Sequence, residues 1–252
     1  MKTLVVLPTY NESLNVVSML EAIRGHAPHA SVLVVDDGSP DGTADLAQSV
    51  AERLGAISVM RRTGKGGLGS AYRDGFAWGI EEGFDALVEI DADFSHDPAA
   101  LPSLLDAAMA GADVVIGSRY TAGGSIPAWK WHRRLLSKGG NMYASMTLGL
   151  GVKDATAGFR VYKATALSKM GYRSVQADGY GFQIEMTYRA RRAGLTIKEV
   201  PISFVDRTLG ESKMSGTIVI EALWLCTKWG MERCTGRAWK PSADVVTTGS
   251  GA

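Results

Sequence analysis

The chain of 252 residues predicts an α/β protein built on a mainly parallel sheet with helices on both faces. Two observations carry this. Through residue 117, short apolar runs alternate with stretches of helical periodicity. Polar residues able to bind a ligand collect just after those runs, and open parallel sheets bind ligands outside the carboxyl ends of their strands.

Thr3 to Leu7 reads as the first strand; its apolar run is too short for a signal peptide and turns polar at Thr9. Ser31 to Val35 forms the second, followed by Asp36-Asp37-Gly38-Ser39-Pro40-Asp41-Gly42 and a helix over Thr43 to Leu54. The third, Ile57 to Met60, precedes Gly64-Lys65-Gly66-Gly67-Leu68-Gly69, which opens a helix. Ala86 to Ile90 is the fourth and ends in Asp91-Ala92-Asp93. A helical stretch over Pro98 to Ala110 leads to the fifth, Asp113 to Ile116, which ends in Gly117-Ser118-Arg119. The pattern then changes. A Gly-rich connection, Ala122 to Pro127, enters the basic, aromatic segment Trp129 to Lys138. A loop at Asp154 to Arg160, a helix near Phe182 to Ala193, a strand Thr196 to Val200 and a last helix from about Ser215 to Trp229 complete the order. Residues 1–234 read as one domain with halves at 1–120 and 121–234, and residues 235–252, small and polar after Pro241, as a disordered tail.

Composition excludes several classes. An apolar content of 46% supports a sizeable core, and a net charge of +1 gives no sign of nucleic-acid binding. Cys226 and Cys234, eight residues apart in a helical segment, fit neither a zinc site nor a disulfide framework and read as reduced, packed thiols. His96 lies next to an acidic pair, while His26, His29 and His132 are scattered, and neither G-x-S-x-G nor H-E-x-x-H occurs. The apolar segment Ile218 to Trp229 is interrupted by Glu221 and Lys228 and is shorter than the roughly 20 residues a spanning helix needs. The expectation is a cytoplasmic protein with no transmembrane anchor of its own.

Asp91 and Asp93 are the most informative residues. Two carboxylates one residue apart at a strand end raise each other's pKa unless a cation or donors compensate. A hard divalent cation, Mg2+ or Mn2+, that also grips a diphosphate is the natural compensator. Asp36 and Asp37 alone would suit a turn or a helix cap; a second acidic strand end on the same edge favours a binding site. The G-x-G-x-x-G spacing of Gly64, Gly66 and Gly69 is weak evidence for a dinucleotide, because it follows the third strand and not the first. Arg61, Arg62 and Lys65 would face phosphate there, or the segment is a helix-entry turn with solvated charges.

Pro8-Thr9-Tyr10-Asn11-Glu12, Asp36 to Thr43, Asp91-Ala92-Asp93 and Gly117-Ser118-Arg119 together resemble family 2 glycosyltransferases of the GT-A, Rossmann-like fold. Within that family, Gly64 to Gly69, Asp154 to Arg160, Gly181 to Met186 and Arg207 to Lys213 are similar to polyprenol (dolichol) phosphate mannose synthases, of the actinobacterial style with a soluble catalytic domain. The resemblance spans about residues 3 to 230. It implies a nucleotide-sugar half at 1–120 and acceptor-side helices in 121–234. It also implies a nucleoside pocket of Pro8, Tyr10, Glu12, Val35 and Asp37, with Asp37 reading the base edge. Asp91, Ala92 and Asp93 would meet the donor, with Asp91, Asp93 and Ser95 at the metal; some relatives carry Gln where Ser95 stands, and there Ser95 would act directly or through a water. Arg119, Arg207 and Lys213 would bind donor or acceptor phosphates, and Arg119 with Arg133 would orient the acceptor phosphate.

The implied reaction moves mannose from GDP-mannose to a polyprenyl monophosphate with inversion. Such an acceptor, with a second pKa near ~6, needs positioning more than deprotonation. The segment Trp129 to Lys138 suits a membrane interface at the inner face of the cell membrane, although a basic helix face is more often simply solvated. The last helix, with Ile218, Leu223, Trp224, Leu225 and Trp229, would pack in the core or touch membrane or a membrane-protein partner. The rivals are glucosyl transfer to a lipid phosphate, another nucleotide-sugar transfer, nucleotidyltransfer and a non-catalytic nucleotide-sugar module.

Overall fold

The computed structural model describes residues 1–206 and 216–241, with backbone alone for 216–219. Seven strands make one sheet: β1 (Thr3–Thr9), β2 (Ser31–Asp36), β3 (Ile57–Arg61), β4 (Ala86–Glu89), β5 (Val114–Ser118), β6 (Arg160–Lys163) and β7 (Ile197–Pro201). Their order is β3-β2-β1-β4-β6-β5-β7. All neighbours are parallel except that β6 runs antiparallel to both β4 and β5. The helices are α1 (Val16–His26), α2 (Thr43–Leu54), α3 (Leu68–Glu81), α4 (Leu101–Met109), α5 (Trp131–Leu148), α6 (Ala164–Met170), α7 (Gly179–Arg192) and α8 (Gly216–Cys234).

The predicted mainly parallel sheet is present, with β6 as an addition. Four residues are too few to display a periodicity; β6 exists because Arg160 to Lys163 pair with Glu89 to Ala86 on one side and Val114 to Ile116 on the other. It also brings the 154–160 loop to the carboxyl edge.

Alternation along the central strands divides the core in two. Leu4, Val6, Leu33 and Val35 face α3 and α7 through Tyr72, Phe76 and Phe182. Val5, Leu7, Val32 and Val34 face α1 and α4 through Met19, Leu20, Ile23, Leu101 and Leu104. Fully burying each such aliphatic side chain is worth about 1.5–3 kcal/mol. Helix α3 lies against the sheet through two glycines. A Cβ on Gly75 would stand 2.4 Å from Val6 Cγ1, and one on Gly79 would stand 2.6 Å from Leu87 Cδ2. That close approach carries Tyr72, one turn earlier, to the end of β4.

Three expectations need correction. Trp129 is not an interfacial side chain: it is 7% exposed, lies edge-on to Phe204 and donates from Nε1 to Asp206 Oδ1 at 2.9 Å. Trp131, 75% exposed, is the outward tryptophan. Of the thiols, Cys226 is packed and burial pushes it up to about 11, whereas Cys234 is exposed. The expected tail over 235–252 is packed where it is described: Ala238 is buried in the core and the Trp239 ring lies 5.0 Å from the Arg189 guanidinium carbon, while residues 242–252 lie outside the described residues.

Candidate active site

The two aspartates after β2 have different duties. Asp36 Oδ2 accepts from Thr9 Oγ1 at 2.9 Å and Ser39 Oγ at 2.6 Å, and Oδ1 accepts from Ser39 N at 2.9 Å. It shapes the turn. Asp37 pairs with Arg62 and accepts from Gly66 N at 3.0 Å, and it lines a cavity of about 470 Å³. The entry to α2 is secured by Asp41, which accepts from Thr43 and Ser13; burial opposes the charged form, but these bonds hold its pKa at about 2.

At the end of β4, Asp91 Oδ1 accepts from Tyr72 Oη at 3.0 Å and Asp93 Oδ1 accepts from Ser95 N at 3.0 Å. Phe94 takes a left-handed φ of 58°, uncommon for a bulky residue, and this tight turn brings Asp93 and Ser95 into the same cavity wall. Behind them Glu89 is fully buried and accepts from Gln183 Nε2 at 2.9 Å. Burial pushes its pKa up to about 8, against the pull of Arg160 and with a smaller push from Asp91. His96 packs between Phe159 and Phe204; burial, reinforced by the charge of Arg119, lowers its pKa to about 4, so it is neutral at pH 7.

These residues suit a small hard cation. Among the described residues no group of three or more His, Cys, Asp or Glu converges as a metal cage. Magnesium-like ions bind in another way, through one or two carboxylates with the remaining positions left to water and substrate phosphate. Space for that is kept at Gly158, where an added Cβ would lie 3.6 Å from Asp91 Oδ2. Asp91 and Asp93 therefore fit such an ion, with Ser95 beside them.

Arg119, directly after β5, lines the same cavity as the pair. Its Nε donates to Asp154 Oδ2 at 2.7 Å, its Nη2 to Asp154 Oδ1 at 2.6 Å and to Thr156 Oγ1 at 2.6 Å, and its backbone N to Asp154 Oδ2 at 2.9 Å. Burial disfavours both charges, yet each partner more than compensates the other: the Arg119 pKa is raised and the Asp154 carboxyl lowered. The rings of Tyr120, Trp129 and Phe204 stand 5.4 to 5.8 Å from the guanidinium carbon, so Arg119 is held rigidly.

Pro8, Tyr10, Glu12, Asp37, Asp91, Ala92, Asp93, Ser95 and Arg119 all line this one cavity. Val35 does not; its side chain is fully buried in the core face beneath. Arg133 also stands apart, pairing with Asp206 at 2.9 Å and stacking over Trp129 at 4.0 Å. Arg207 and Lys213 lie outside the described residues.

The Gly-rich segment, read as facing phosphate or as a helix-entry turn, meets a carboxylate. Asp178, at the start of α7, accepts from Gly69 N at 2.9 Å, and a Cβ on Gly67 or Gly69 would come within 2.7 Å of its carboxylate. A side chain of the protein, in place of phosphate, occupies the positive end of α3. Arg61 pairs with Asp45 and Arg62 with Asp37, leaving Lys65 alone of the three in the cavity wall, 4.6 Å over the Tyr10 ring. Asp178, Tyr180 and Gln183 were not foreseen as cavity residues; Gly181 to Met186 marked their neighbourhood by resemblance only.

The sequence profile of Glycosyl transferase family 2 matches residues 4–171, about two thirds of the chain. The chain belongs to glycosyl transferase family 2. This glycosyltransferase is 47% identical over 238 residues to a polyprenol monophosphomannose synthase of Mycolicibacterium smegmatis, covering 94% of this chain and 90% of that one. It is 48% identical over 231 residues to an undecaprenyl-phosphate mannosyltransferase of Micrococcus luteus, covering 92% and 95%. Among solved structures, it superposes on glucosyl-3-phosphoglycerate synthase from Mycobacterium tuberculosis, in complex with Mn2+, UDP and glucosyl-3-phosphoglycerate, with a TM-score of 0.63 at 20% identity, covering 96% of this chain and 81% of that one. A mannosyltransferase from Pyrobaculum calidifontis bound to GDP-mannose and Mn2+ gives 0.55 at 15%, covering 94% and 73%. These likenesses establish the GT-A fold.

Proposed function

We propose that this glycosyltransferase moves mannose from GDP-mannose to a polyprenyl monophosphate, inverting the anomeric carbon. The observation that carries the reading is the meeting of Asp37, the Asp91/Asp93 pair and Arg119 in one cavity. The named relatives supply the sugar and the acceptor class. The two functions divide a single domain over residues 1–234, with the donor in residues 1–120 and the acceptor beside 121–234.

The guanosine lies between Pro8, Tyr10 and Glu12 with Asp37 at the base edge, where Arg62 and Gly66 fix the carboxylate. Asp91 and Asp93, with Ser95 directly or through water, hold Mg2+ or Mn2+. The bound cation supplies neutralisation of the diphosphate as negative charge develops on it. A phosphate oxygen of the acceptor forms the new bond to the anomeric carbon as the bond to GDP breaks, and that electron pair leaves on the diphosphate. Arg119 orients the attacking phosphate, its fork aimed by Asp154 before the acceptor arrives. The phosphate is already largely dianionic near pH 7, its second pKa being about 6, so no general base is required. By the family resemblance Arg207 and Lys213 would also meet the phosphates, whereas Arg133, paired with Asp206, stands outside the cavity.

The acceptor argues for contact with the inner face of the cell membrane. Helix α5 exposes Trp131, Leu135, Leu136, Met142 and Met146, and the paired helix α8 exposes Ile220, Trp224 and Met231. No acidic residue occurs in α5, which suits anionic headgroups. Among the described residues no helix is long and apolar enough to cross a membrane. A membrane-protein partner covering the same face is the competing arrangement.

The test is incubation with labelled GDP-mannose or UDP-glucose, polyprenyl phosphate and Mg2+, with and without chelator. Chelator-sensitive mannose label in the lipid phase is expected. Label from UDP-glucose alone would replace the donor, and no metal-dependent lipid label from either would defeat the proposal.

A further inference from the structure

A second cavity, of about 320 Å³, shares only Arg119 with the donor cavity and has no part in the reaction above. Its wall includes Tyr120, Ile126, Pro127, Arg134 and Lys138, and no acidic residue lines it. Arg119 is already neutralised by Asp154. Arg134 Nη2 donates to two uncharged acceptors, the carbonyls of Ile126 at 2.6 Å and Pro127 at 3.1 Å. Lys138 Nζ lies 5.8 Å from the Tyr120 ring. Among the described residues neither Arg134 nor Lys138 enters an ion pair, whereas the adjacent Arg133 is paired with Asp206.

Arg134 and Lys138 stand four apart on α5, where like charges share a face and repel each other, and the helix supplies no acid to relieve them. An anion in the cavity would. Its chemical class follows from the surroundings: the wall is partly apolar, and the same stretch of α5 exposes Trp131 at 75% and Leu135 at 64%. A phosphate carrying an apolar chain satisfies both features; a free phosphate satisfies one. We propose that Arg134 and Lys138 bind the phosphate group of a membrane lipid in this cavity, apart from the phosphate that reacts. Two lipids have that chemistry, an anionic phospholipid of the membrane and the acceptor on its way to Arg119.

The test is calorimetric titration of the full chain, in excess GDP to fill the donor cavity, with dihexanoyl phosphatidic acid below its micellar concentration. Dihexanoyl phosphatidylcholine serves as the comparator. The protein is expected to bind the phosphatidic acid and to lose about tenfold or more of that affinity in R134A/K138A. The charge-matched K130A/K228A, whose residues line neither cavity, is expected to stay within about twofold. Because Arg134 also holds the 126–127 backbone, K138A alone is the variant that leaves the fold undisturbed, and it should show much of the loss. No binding by the unaltered protein, or equal losses in the two double variants, would overturn the proposal. Turnover of a short-chain polyprenyl phosphate without phospholipid separates the sources. An unchanged rate in K138A assigns the site to phospholipid, and a raised KM at constant kcat assigns it to the arriving acceptor. A fall in kcat would place Lys138 in the reaction and overturn the separation. GDP binding, measured first, tests the donor reading by itself.

Discussion

Around the ends of β1, β2 and β4, acidic side chains are held by near neighbours: Asp36 by Thr9 and Ser39, Asp37 by Arg62 and Gly66, Asp91 by Tyr72. Along α5 the charges are positive, and Arg134 and Lys138 have no carboxylate partner among the described residues. One region is pre-assembled around negative charge and suits a cation with its nucleotide. The other leaves positive charge and apolar surface open toward an amphipathic anion. Arg119 sits at the boundary, paired like the first region and lining the cavity of the second. A buried guanidinium whose charge is already matched can orient a ligand without depending on it for its own stability.

The largest test of this contrast is Asp93→Asn. On the proposed reading this removes a charge that would hold the cation, which should cost ~10³-fold or more in transfer rate, read as lipid-phase label, with the unfolding midpoint nearly unchanged. Asp36→Asn should do the reverse, loosening the fold more than the chemistry. If the two behaved alike, the division of duties between the strand ends would fail.

Next in size is Asp154→Ala, which strands Arg119 in a buried site. Chemical denaturation should show a loss of about 3–5 kcal/mol. The native Asp154 carboxyl is held below its ordinary value, so the pair's contribution is complete above the unfolded pKa of about 3.9 and disappears as pH falls through the lower native one. The variant should lack that acid-limb loss of stability. An unaltered acid limb would show that the pair is not matched as described.

Packing of α3 beneath the site gives a smaller effect. Gly75→Ala must displace Val6 and should cost about 1–3 kcal/mol, with Asp91 affected through Tyr72. Gly25→Ala, where an added Cβ meets nothing within 4 Å, should be neutral or stabilise by up to about 1 kcal/mol. The smallest stability effect belongs to Trp131→Ala, within about 0.5 kcal/mol, accompanied by weaker flotation with anionic vesicles. Trp129→Ala should instead destabilise the fold, because that side chain is packed and hydrogen-bonded. Equal flotation of Trp131→Ala and the unaltered protein would remove the membrane face.

Strand-end position was enough to single out Asp91 and Asp93, because strand geometry delivers residues after an apolar run to one edge. It did not separate Asp36 from Asp37. Both follow β2, and only Thr9 on one side and Arg62 on the other distinguish them. Asp178 was hidden because its partner Gly69 is 109 residues away along the chain. Trp129 and Trp131 look equivalent in a basic, aromatic segment, yet one meets Phe204 and Asp206 and the other meets solvent.

By itself the sequence determined the alternation of strands and helices, the ligand-binding edge and the residue types gathered there, because those depend on local periodicity. Tertiary structure alone decided which charges are already answered and which remain open, because Coulomb and hydrogen-bond energies depend on separation in space and not along the chain.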